Sequence, residues 1–174
     1  TFKRAYEYID GEGRTLAVHG RFERSADTEK GYIKDIAWRL PNSTYAKGLG
    51  GLSLSTLPFY GLPALAAAPA EARVWWVEGE ECVLALAARQ EVAVCGASGS
   101  GSSFTAGQLE ELRGRQIIVW PDNDEPGLKH AQSMRDALRE VAASVVVWAP
   151  KKMPDKGDCV DFFAAGRDLA EYVP

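Results

Sequence analysis

Four short apolar runs in the second half of the chain constrain its fold more than any other feature. Helical patterns separate them: EECVLALAARQ, TAGQLEELRGR and GLKHAQSMRDALREVAA. Short strands that alternate with helices are typical of a parallel sheet covered by helices. The pattern therefore predicts an α/β domain over residues 71–174 with a mostly parallel sheet of four strands. The predicted strands are residues 74–77 (VWWV), 92–97 (VAVCGA), 117–120 (IIVW) and 144–148 (SVVVW).

The first 70 residues have a different pattern, which predicts a small β-rich N-terminal subdomain. Residues 4–10 and 15–23 alternate apolar and polar side chains on either side of a Gly-flanked turn, and this favours a hairpin. Residues 32–41 add a third predicted strand. Residues 47–69 are rich in Gly, Pro and small side chains and predict a connector with short helical pieces.

The composition excludes several classes of protein. Hydrophobic residues make up 46% and charged residues 25%, which is typical of a folded domain. No apolar run approaches the roughly 20 residues of a membrane span, and the polar start, TFKRAYEYID, predicts no signal peptide. The three cysteines are far apart in sequence and form no CxxC pair, so a disulfide framework and a zinc ribbon are disfavoured. We therefore expect a cytoplasmic protein whose thiols serve as small apolar side chains.

The two halves of the chain differ in charge. Residues 1–70 carry nine Lys and Arg against seven Asp and Glu, a net charge of +2. Residues 71–174 carry eleven against seventeen, a net charge of −6. A basic half beside an acidic half suits nucleic acid held against a metal-loaded acidic site. On charge alone, ordinary scatter of surface residues is the favoured interpretation.

Acidic residues follow two of the predicted strands, at the edge where open α/β sheets bind their ligands. Glu78 begins a Glu-Gly-Glu sequence, and Asp122 and Asp124 belong to an Asp-Asn-Asp sequence. Two carboxylates about 4 Å apart repel by roughly 4 kcal/mol at an effective dielectric constant near 20, so a cluster requires a cation or a shared proton. Oxygen ligands favour Mg²⁺ or Mn²⁺.

A structural role is the alternative for each acidic element. The Asp-Asn-Asp residues suit capping of the helix that begins near Gly127, and the Glu-Gly-Glu sequence alone is a weak signal. The occurrence of both elements at strand ends favours the metal site. A third acidic cluster follows the last strand: Asp161 is expected mainly to cap a short helix, and Asp158 is a candidate for a second metal position.

The Gly/Ser-rich loop at residues 95–103 resembles two nucleotide-binding sequences without completing either. Ser102 and Ser103 stand where a P-loop requires Lys followed by Ser or Thr, and Phe104 stands at the last glycine position of a dinucleotide fingerprint. The loop therefore predicts a flexible turn before a helix capped by Thr105. Its backbone N–H groups, including that of Gly96, remain candidates for contact with a nucleotide.

Lys129 and His130 are further candidates for contact with substrate phosphate. Both lie about one turn into the helix that follows the acidic loop. A solvated helix face explains them equally well.

Three segments in order, VWWVEGEE, VWPDNDEPG and KGDCVDFF, carry a resemblance to a known family. Together they resemble the TOPRIM domain, the catalytic module of bacterial-type primases, topoisomerases, and OLD-type and RecR-like proteins. The forms PDNDEPGLKHA and KGDCVDFF are similar to those of phage and plasmid primases, which are often fused to a helicase. With FYGLPAL, the likeness covers most of residues 57–166. Pro126 stands where many members of the family have Ala.

The resemblance implies a Rossmann-like fold and a set of roles for individual residues. Glu78 matches a glutamate that serves as metal ligand or general acid/base, and Asp122 and Asp124 match the metal-binding pair. Asp158 and Asp161 match the trailing acidic element. Mg²⁺, or Mn²⁺, would then support phosphoryl transfer of the two-metal type. Four basic residues of the first half would hold the nucleic-acid backbone without reading its sequence: Arg21, Arg24, Lys34 and Arg39.

The implied function is the catalytic core of a DNA primase, which makes short RNA primers on single-stranded DNA from NTPs. A helicase and a zinc-binding module would be its partners. Two other functions remain open: a TOPRIM nuclease that uses the same acids, and a non-catalytic module that binds metal or nucleotide. A topoisomerase is disfavoured because the domain that carries its nucleophilic tyrosine does not fit in 174 residues.

Overall fold

The computed structural model describes residues 1–28, 31–97 and 104–173, and these form two sheets. The first sheet is antiparallel and contains β1 (Phe2–Ile9), β2 (Thr15–Ser25) and β3 (Tyr32–Arg39) in that order. The predicted hairpin and third strand are therefore present. Along β2, side chains alternate between two faces, so His19, Arg21 and Glu23 share one face of this sheet.

The connector after β3 contains a 3₁₀ turn (Leu54–Thr56) and a short helix, α1 (Leu62–Ala67). Although it lies within the first 70 residues, its apolar side chains Phe59, Leu62 and Leu65 pack in the core of the second sheet. Tyr60 also exchanges two backbone hydrogen bonds with Cys95, at 3.0 and 3.2 Å. The connector is thus built into the α/β core.

The second sheet has four strands, and all of them are parallel. They are β4 (Arg73–Trp76), β5 (Val92–Val94), β6 (Gln116–Val119) and β7 (Ser144–Val147), in the order β5-β4-β6-β7. The predicted α/β fold with a β-rich N-terminal part is confirmed. Four helices accompany the strands: α2 (Glu80–Ala87), α3 (Ala106–Glu111), α4 (Glu125–Leu138) and α5 (Cys159–Ala164). A 3₁₀ turn at Leu169–Glu171 follows α5.

Each face of the parallel sheet has its own hydrophobic core, because successive side chains of a strand point to opposite faces. On one face Val74 and Trp76 pack with α1 and with Ala131, Met134 and Leu138 of α4. On the other face the packing partners come from α2 and α5, and the residues include Trp75, Ile118, Trp120, Leu86 and Phe162. Burial of each large apolar side chain contributes roughly 1.5–3 kcal/mol. This packing fixes where the strands end and therefore where the acidic residues lie.

The three cysteines, Cys82, Cys95 and Cys159, are unpaired and buried, as expected of apolar side chains. Thr105 caps α3 as predicted: its hydroxyl accepts from the Gln108 N–H, and the Gln108 side chain accepts from the Thr105 N–H. In the described part of the chain, no helix is long and apolar enough to cross a membrane.

Candidate active site

Glu78 and Asp122 meet at the carboxyl edge of the parallel sheet. Glu78 follows β4 and Asp122 follows β6, and these strands are neighbours, with Trp76 paired to Val119. The Asp122 N–H donates to Oε1 of Glu78 at 3.4 Å. The first two acidic elements of the sequence are therefore in direct contact.

Asp124 caps the N-terminus of α4, and this is the structural role that the sequence left open for it. Its Oδ1 accepts a 2.8 Å hydrogen bond from the Gly127 N–H. A Cβ atom built on Gly127 would lie 2.5 Å from the Asp122 carbonyl oxygen, 2.9 Å from Glu78 Oε1 and 3.1 Å from Asp124 Oδ1. Three oxygens of the acidic elements thus surround one small space, which only glycine leaves open.

Asp158 and Asp161 form a reciprocal capping box at the start of α5. Asp158 Oδ1 accepts from the N–H groups of Val160 and Asp161, and Asp161 Oδ2 accepts from the Asp158 N–H at 3.1 Å. The predicted capping role of Asp161 is shared by Asp158, which is the N-cap residue itself. Asp158 also lines the cleft that contains Asp122.

Asn123, for which the sequence indicates no role, joins the second acidic element to the third. Its side-chain amide donates to the carbonyl oxygens of Met153 and Pro154, at 3.2 and 2.8 Å. Its backbone N–H and C=O pair with Gly157 and Lys156, at 2.9 and 3.0 Å. These four bonds hold the loop before Asp158 against the loop that carries Asp122.

The electrostatic environment of the cluster disfavours charge on the two central carboxylates. Burial, together with the charges of Glu78, Asp158 and Asp124, raises the pKa of Asp122 from 3.8 to about 7, and Lys34 opposes the rise. Burial also raises the pKa of Glu78; the bond from the Asp122 N–H opposes this effect, and the charge of Asp124 adds to it. A cation that binds to such a cluster therefore stabilises it.

A cleft of about 820 Å³ separates these acids from the antiparallel sheet. Glu78, Asp122 and Asp158 lie on one wall, and the other wall is basic. Its cationic residues come from β1, β2 and β3: Lys3, Arg4, Arg21 and Lys34. Of the four residues predicted to hold nucleic acid, the structure places Arg21 and Lys34 here.

Arg24 and Arg39 lie away from the cleft. Arg24 pairs with Asp35 at 3.4 Å, and the guanidinium of Arg39 lies 5.4 Å from the centre of the Tyr45 ring. The physical reason is the alternation of strand side chains, which sends Arg24 to the face opposite Arg21 and Glu23. Lys3 and Arg4, for which the sequence indicates no role, line the cleft together with Arg21 and Lys34.

The residues predicted to contact nucleotide phosphate are not in the cleft. Lys129 is exposed on α4, and His130 is half-buried there, where burial lowers its pKa and so disfavours the charged form. Gly96 directly follows the buried Cys95. The Gly/Ser loop prediction falls mainly on residues 98–103, which lie outside the described residues.

The donor set suits a hard divalent cation, which prefers carboxylate and carbonyl oxygens. Within residues 1–28, 31–97 and 104–173, no three acidic, His or Cys side chains enclose a single point closely enough to form a metal centre as they stand. Glu78, Asp122 and Asp124 are nevertheless neighbours around the space beside Gly127. The pKa values of Glu78 and Asp122 are raised, which disfavours their charged forms when no cation is close. These properties fit a Mg²⁺ or Mn²⁺ site.

Glu80 and Glu81 face the antiparallel sheet instead of joining the other acids. Glu80 is bonded to Tyr8 and His19, and Glu81 is bonded to Tyr6. Burial opposes ionisation of Glu80, but the bonds from His19 and Tyr8 outweigh it and lower its pKa. The sequence signal for this network is weak: it consists of two tyrosines in alternate positions on β1.

Comparisons with known proteins found similarity only at the level of structure. No family model matches the sequence, and no curated protein matches it. The catalytic core of E. coli primase has 21% identity and a TM-score of 0.58, covering 90% of this chain and 47% of that chain. A DnaG primase catalytic domain bound to single-stranded DNA has 21% identity and a TM-score of 0.63, with coverage of 95% and 49%.

A DNA primase domain from Pseudomonas aeruginosa is similar to the same degree, with 19% identity, a TM-score of 0.62 and coverage of 95% and 48%. The chain thus spans about half the length of these primase structures. At this level of identity the similarity establishes the fold and not the activity. The chain has the fold of the TOPRIM-containing part of the DnaG-type primase catalytic core that it covers.

Proposed function

We propose that the chain is the catalytic core of a DNA primase that joins nucleotides into short RNA primers on single-stranded DNA. The observation that carries this proposal is a single cleft with an acidic wall at the strand ends and a basic wall on the antiparallel sheet. A polymerase needs both, because the reacting phosphates and the template backbone are negatively charged and must be held together. The primase-like fold supports the same function.

The acidic wall supplies the candidate metal ligands. Glu78, Asp122 and Asp124 would hold Mg²⁺, or Mn²⁺, and Asp158 is a candidate for a second position. When bound, the ion would neutralise the triphosphate of the incoming nucleotide and help to activate the primer 3′-hydroxyl. The protein itself contributes fixed positions, because the strand ends and the N-terminus of α4 set where each carboxylate lies. Positioning and charge stabilisation account for most of the catalysis of phosphoryl transfer.

The basic wall holds the nucleic-acid backbone. Lys34 lies near enough to Asp122 to lower its pKa, so it can contact phosphates that reach the acidic cluster. Arg21 is already paired with Glu23 at 3.0 Å, which fixes its guanidinium along the wall. Contacts of this kind are sequence-independent and depend strongly on salt. Arg24, Arg39, Lys129 and His130 are not part of this proposed site.

Replication of phage or plasmid DNA is the biological setting that we propose, on the basis of the forms PDNDEPGLKHA and KGDCVDFF. A helicase and a zinc-binding module are the proposed partners. One similar structure is described as the zinc-binding and RNA polymerase domains of Aquifex aeolicus primase, and the chain covers 36% of it.

The test is primer synthesis by the chain on single-stranded DNA with labelled NTPs and Mg²⁺ or Mn²⁺. Label in short oligonucleotides that disappears with Glu78→Gln or Asp122→Asn supports the proposal. Asp136→Asn, on the exposed side of α4, is the matched control and should retain synthesis. Shortened template instead of new oligonucleotides would identify a nuclease. Metal binding without either product would identify a binding module.

A further inference from the structure

Glu80 is held by two side chains of the antiparallel sheet. The Tyr8 hydroxyl donates to Glu80 Oε1 at 2.8 Å, and Nδ1 of His19 donates to the same oxygen at 2.5 Å. His19 is itself fixed by stacking on Trp38, with ring centres 4.5 Å apart and planes 12° apart. The Glu80 side chain is only 14% exposed. Oε1 of Glu80 is therefore hydrogen-bonded to the antiparallel sheet.

Glu81, the next residue, is held in the same way. The Tyr6 hydroxyl donates to Glu81 Oε1, and Nη1 of Arg4 donates to Oε2 at 3.2 Å. Arg21 is also within 4.0 Å of the carboxylate. Tyr6 and Tyr8 are 2% and 0% exposed, so their hydroxyl groups require buried acceptors and obtain them from Glu81 and Glu80.

This network exceeds what the N-terminus of a helix requires. An acidic side chain in the first turn is stabilised by the helix dipole while it remains in water. Glu80 is instead largely removed from solvent and Glu81 partly so, and both contact residues more than 60 positions away in sequence. Burial of a charge is costly unless it is fully hydrogen-bonded, so the contacts specify one position for the first turn of α2.

The first turn of α2 begins two residues after Glu78. Gly79 separates Glu78 from Glu80; it is the N-cap of α2 and offers no side-chain cap. A Cβ built on Gly79 would meet nothing within 4 Å, but the Gly79 carbonyl oxygen accepts from the N–H groups of Cys82 and Val83, at 3.1 and 3.2 Å, which ties it to the first turn of α2. Glu78 thus lies between β4 and the helical turn that the Glu80–Glu81 network holds, and its side chain accepts the bond from the Asp122 N–H.

We infer that Glu80 and Glu81 are positioning residues that hold Glu78 in place for metal binding, so that the antiparallel sheet is part of the metal-binding unit. This inference rests on the proposed function, because it concerns the same acidic cluster. Partners of a metal ligand typically change affinity by 10- to 100-fold when they are removed. The network acts through the backbone of Glu78, so the lower end of this range applies.

The test is Mn²⁺ binding to the whole chain, measured by the loss of the free-ion signal in electron paramagnetic resonance. Glu80→Ala should raise the dissociation constant about tenfold, and Tyr8→Phe, which removes one hydrogen bond of the network, should raise it about threefold. Glu80→Gln keeps an acceptor for the Tyr8 hydroxyl and should rescue most of the affinity. Circular dichroism at the measurement temperature establishes that each variant is folded; if Glu80→Ala is not, Tyr8→Phe and Tyr6→Phe carry the test.

Glu91→Ala is the matched control. Glu91 bonds to Arg73 at 2.7 Å and to the Trp75 indole at 2.8 Å, near the start of the same strand that leads to Glu78. Replacement of Glu91 should lower the free energy of unfolding and leave the Mn²⁺ affinity unchanged. The inference would be overturned if folded Glu80→Ala bound Mn²⁺ as tightly as the wild type, or if Glu91→Ala lost as much Mn²⁺ affinity as Glu80→Ala. Neither result would affect the proposed metal site. A wild-type chain that binds no Mn²⁺ would overturn the proposed metal site together with the inference.

Discussion

The Asp122 N–H donates a 3.4 Å hydrogen bond to Glu78 Oε1, and this contact joins two acidic sequences that are 44 residues apart. It exists because β4 and β6 are adjacent and parallel, so the chain leaves both strands at the same edge of the sheet. The same geometry brings two carboxylates together in a partly buried site. Their interaction is unfavourable without a cation, and this property leads to measurable consequences.

Gly127→Ala should disrupt the acidic cluster. A Cβ at this position would lie 2.5 Å from the Asp122 carbonyl oxygen and 2.9 Å from Glu78 Oε1, so the backbone or Glu78 must move. Gly→Ala inside a helix normally stabilises by about 1 kcal/mol. Here we expect a loss of about 1–3 kcal/mol in the free energy of unfolding, as for other overpacked sites. Urea denaturation measures the stability, and Mn²⁺ titration measures the effect on the cluster.

Gly107→Ala is the control for that substitution. Gly107 also lies in a helix, but an added Cβ would meet only the Thr105 hydroxyl at 4.0 Å. We expect this variant to be as stable as the wild type or more stable, with unchanged metal binding. Equal behaviour of the two variants would contradict the steric role assigned to Gly127.

The pH dependence of stability should depend on Asp122 in the metal-free protein. Its pKa is raised from 3.8 to about 7, so the folded state holds the proton more tightly than the unfolded state does. The corresponding stabilisation is complete below about pH 4 and is lost as the pH rises through 7. Allowing for partial exposure to solvent, we expect this loss to be about 1–2 kcal/mol.

Thermal unfolding in EDTA from pH 4 to pH 8 checks this expectation. In Asp122→Asn the melting temperature should fall less as the pH rises, and the variant should be more stable than the wild type at pH 8. Asp136→Asn should show the same pH dependence as the wild type. Mg²⁺ should raise the melting temperature more at pH 8 than at pH 5, because protons and metal compete for the same oxygens. An unchanged slope in Asp122→Asn would show that another group titrates.

Asn123→Ala should loosen the loop that carries Asp158. The Asn123 amide donates to the Met153 and Pro154 carbonyl oxygens, and both bonds are lost in alanine. We expect a destabilisation of about 1 kcal/mol, because the partly buried carbonyl of Met153 and the exposed carbonyl of Pro154 lose their donor. Denaturant unfolding measures it. Asn42→Ala, in the exposed loop after β3, should change stability by less than about 0.5 kcal/mol; equal effects would contradict the bridging role.

The fold and the centre of the site could be predicted because they depend on local patterns. Strands that are buried on both faces produce continuous apolar runs such as IIVW, and acids just after such runs must lie at the edge of the sheet. Glu78 and Asp122 were therefore predictable as neighbours. The sequence left the role of Asp124 open between metal ligand and helix cap, and only its bond from the Gly127 N–H identifies it as the cap.

The basic wall and the Glu80 network could not be predicted in the same way. Alternation places Arg21 and Arg24 on opposite faces of β2, but it does not tell which face is turned toward the cleft. The bond between Tyr8 and Glu80 spans 72 residues and depends on how the two sheets pack. Such contacts leave no regular spacing in the sequence. For the same reason, no sequence pattern indicates the positions of Lys3, Arg4 or Asn123.

Lys34→Ala should weaken binding of single-stranded DNA and reduce its salt dependence. Lys34 lies on the basic wall of the cleft, and each phosphate contact to a single strand contributes a slope of about −0.7 in a plot of log affinity against log salt concentration. Removal of Lys34 should therefore make the slope shallower by about 0.7. Fluorescence anisotropy of a labelled oligonucleotide at several salt concentrations measures both quantities.

Arg24→Ala provides the comparison, since it removes one positive charge from the opposite face of the same sheet. Arg24 is paired with Asp35 and does not line the cleft. Its removal should leave the slope unchanged and lower the affinity by less than about twofold, because only the long-range field is reduced. If Arg24→Ala and Lys34→Ala reduce the slope equally, the DNA is not confined to the cleft. The acidic cluster would then be separated from the main path of the template.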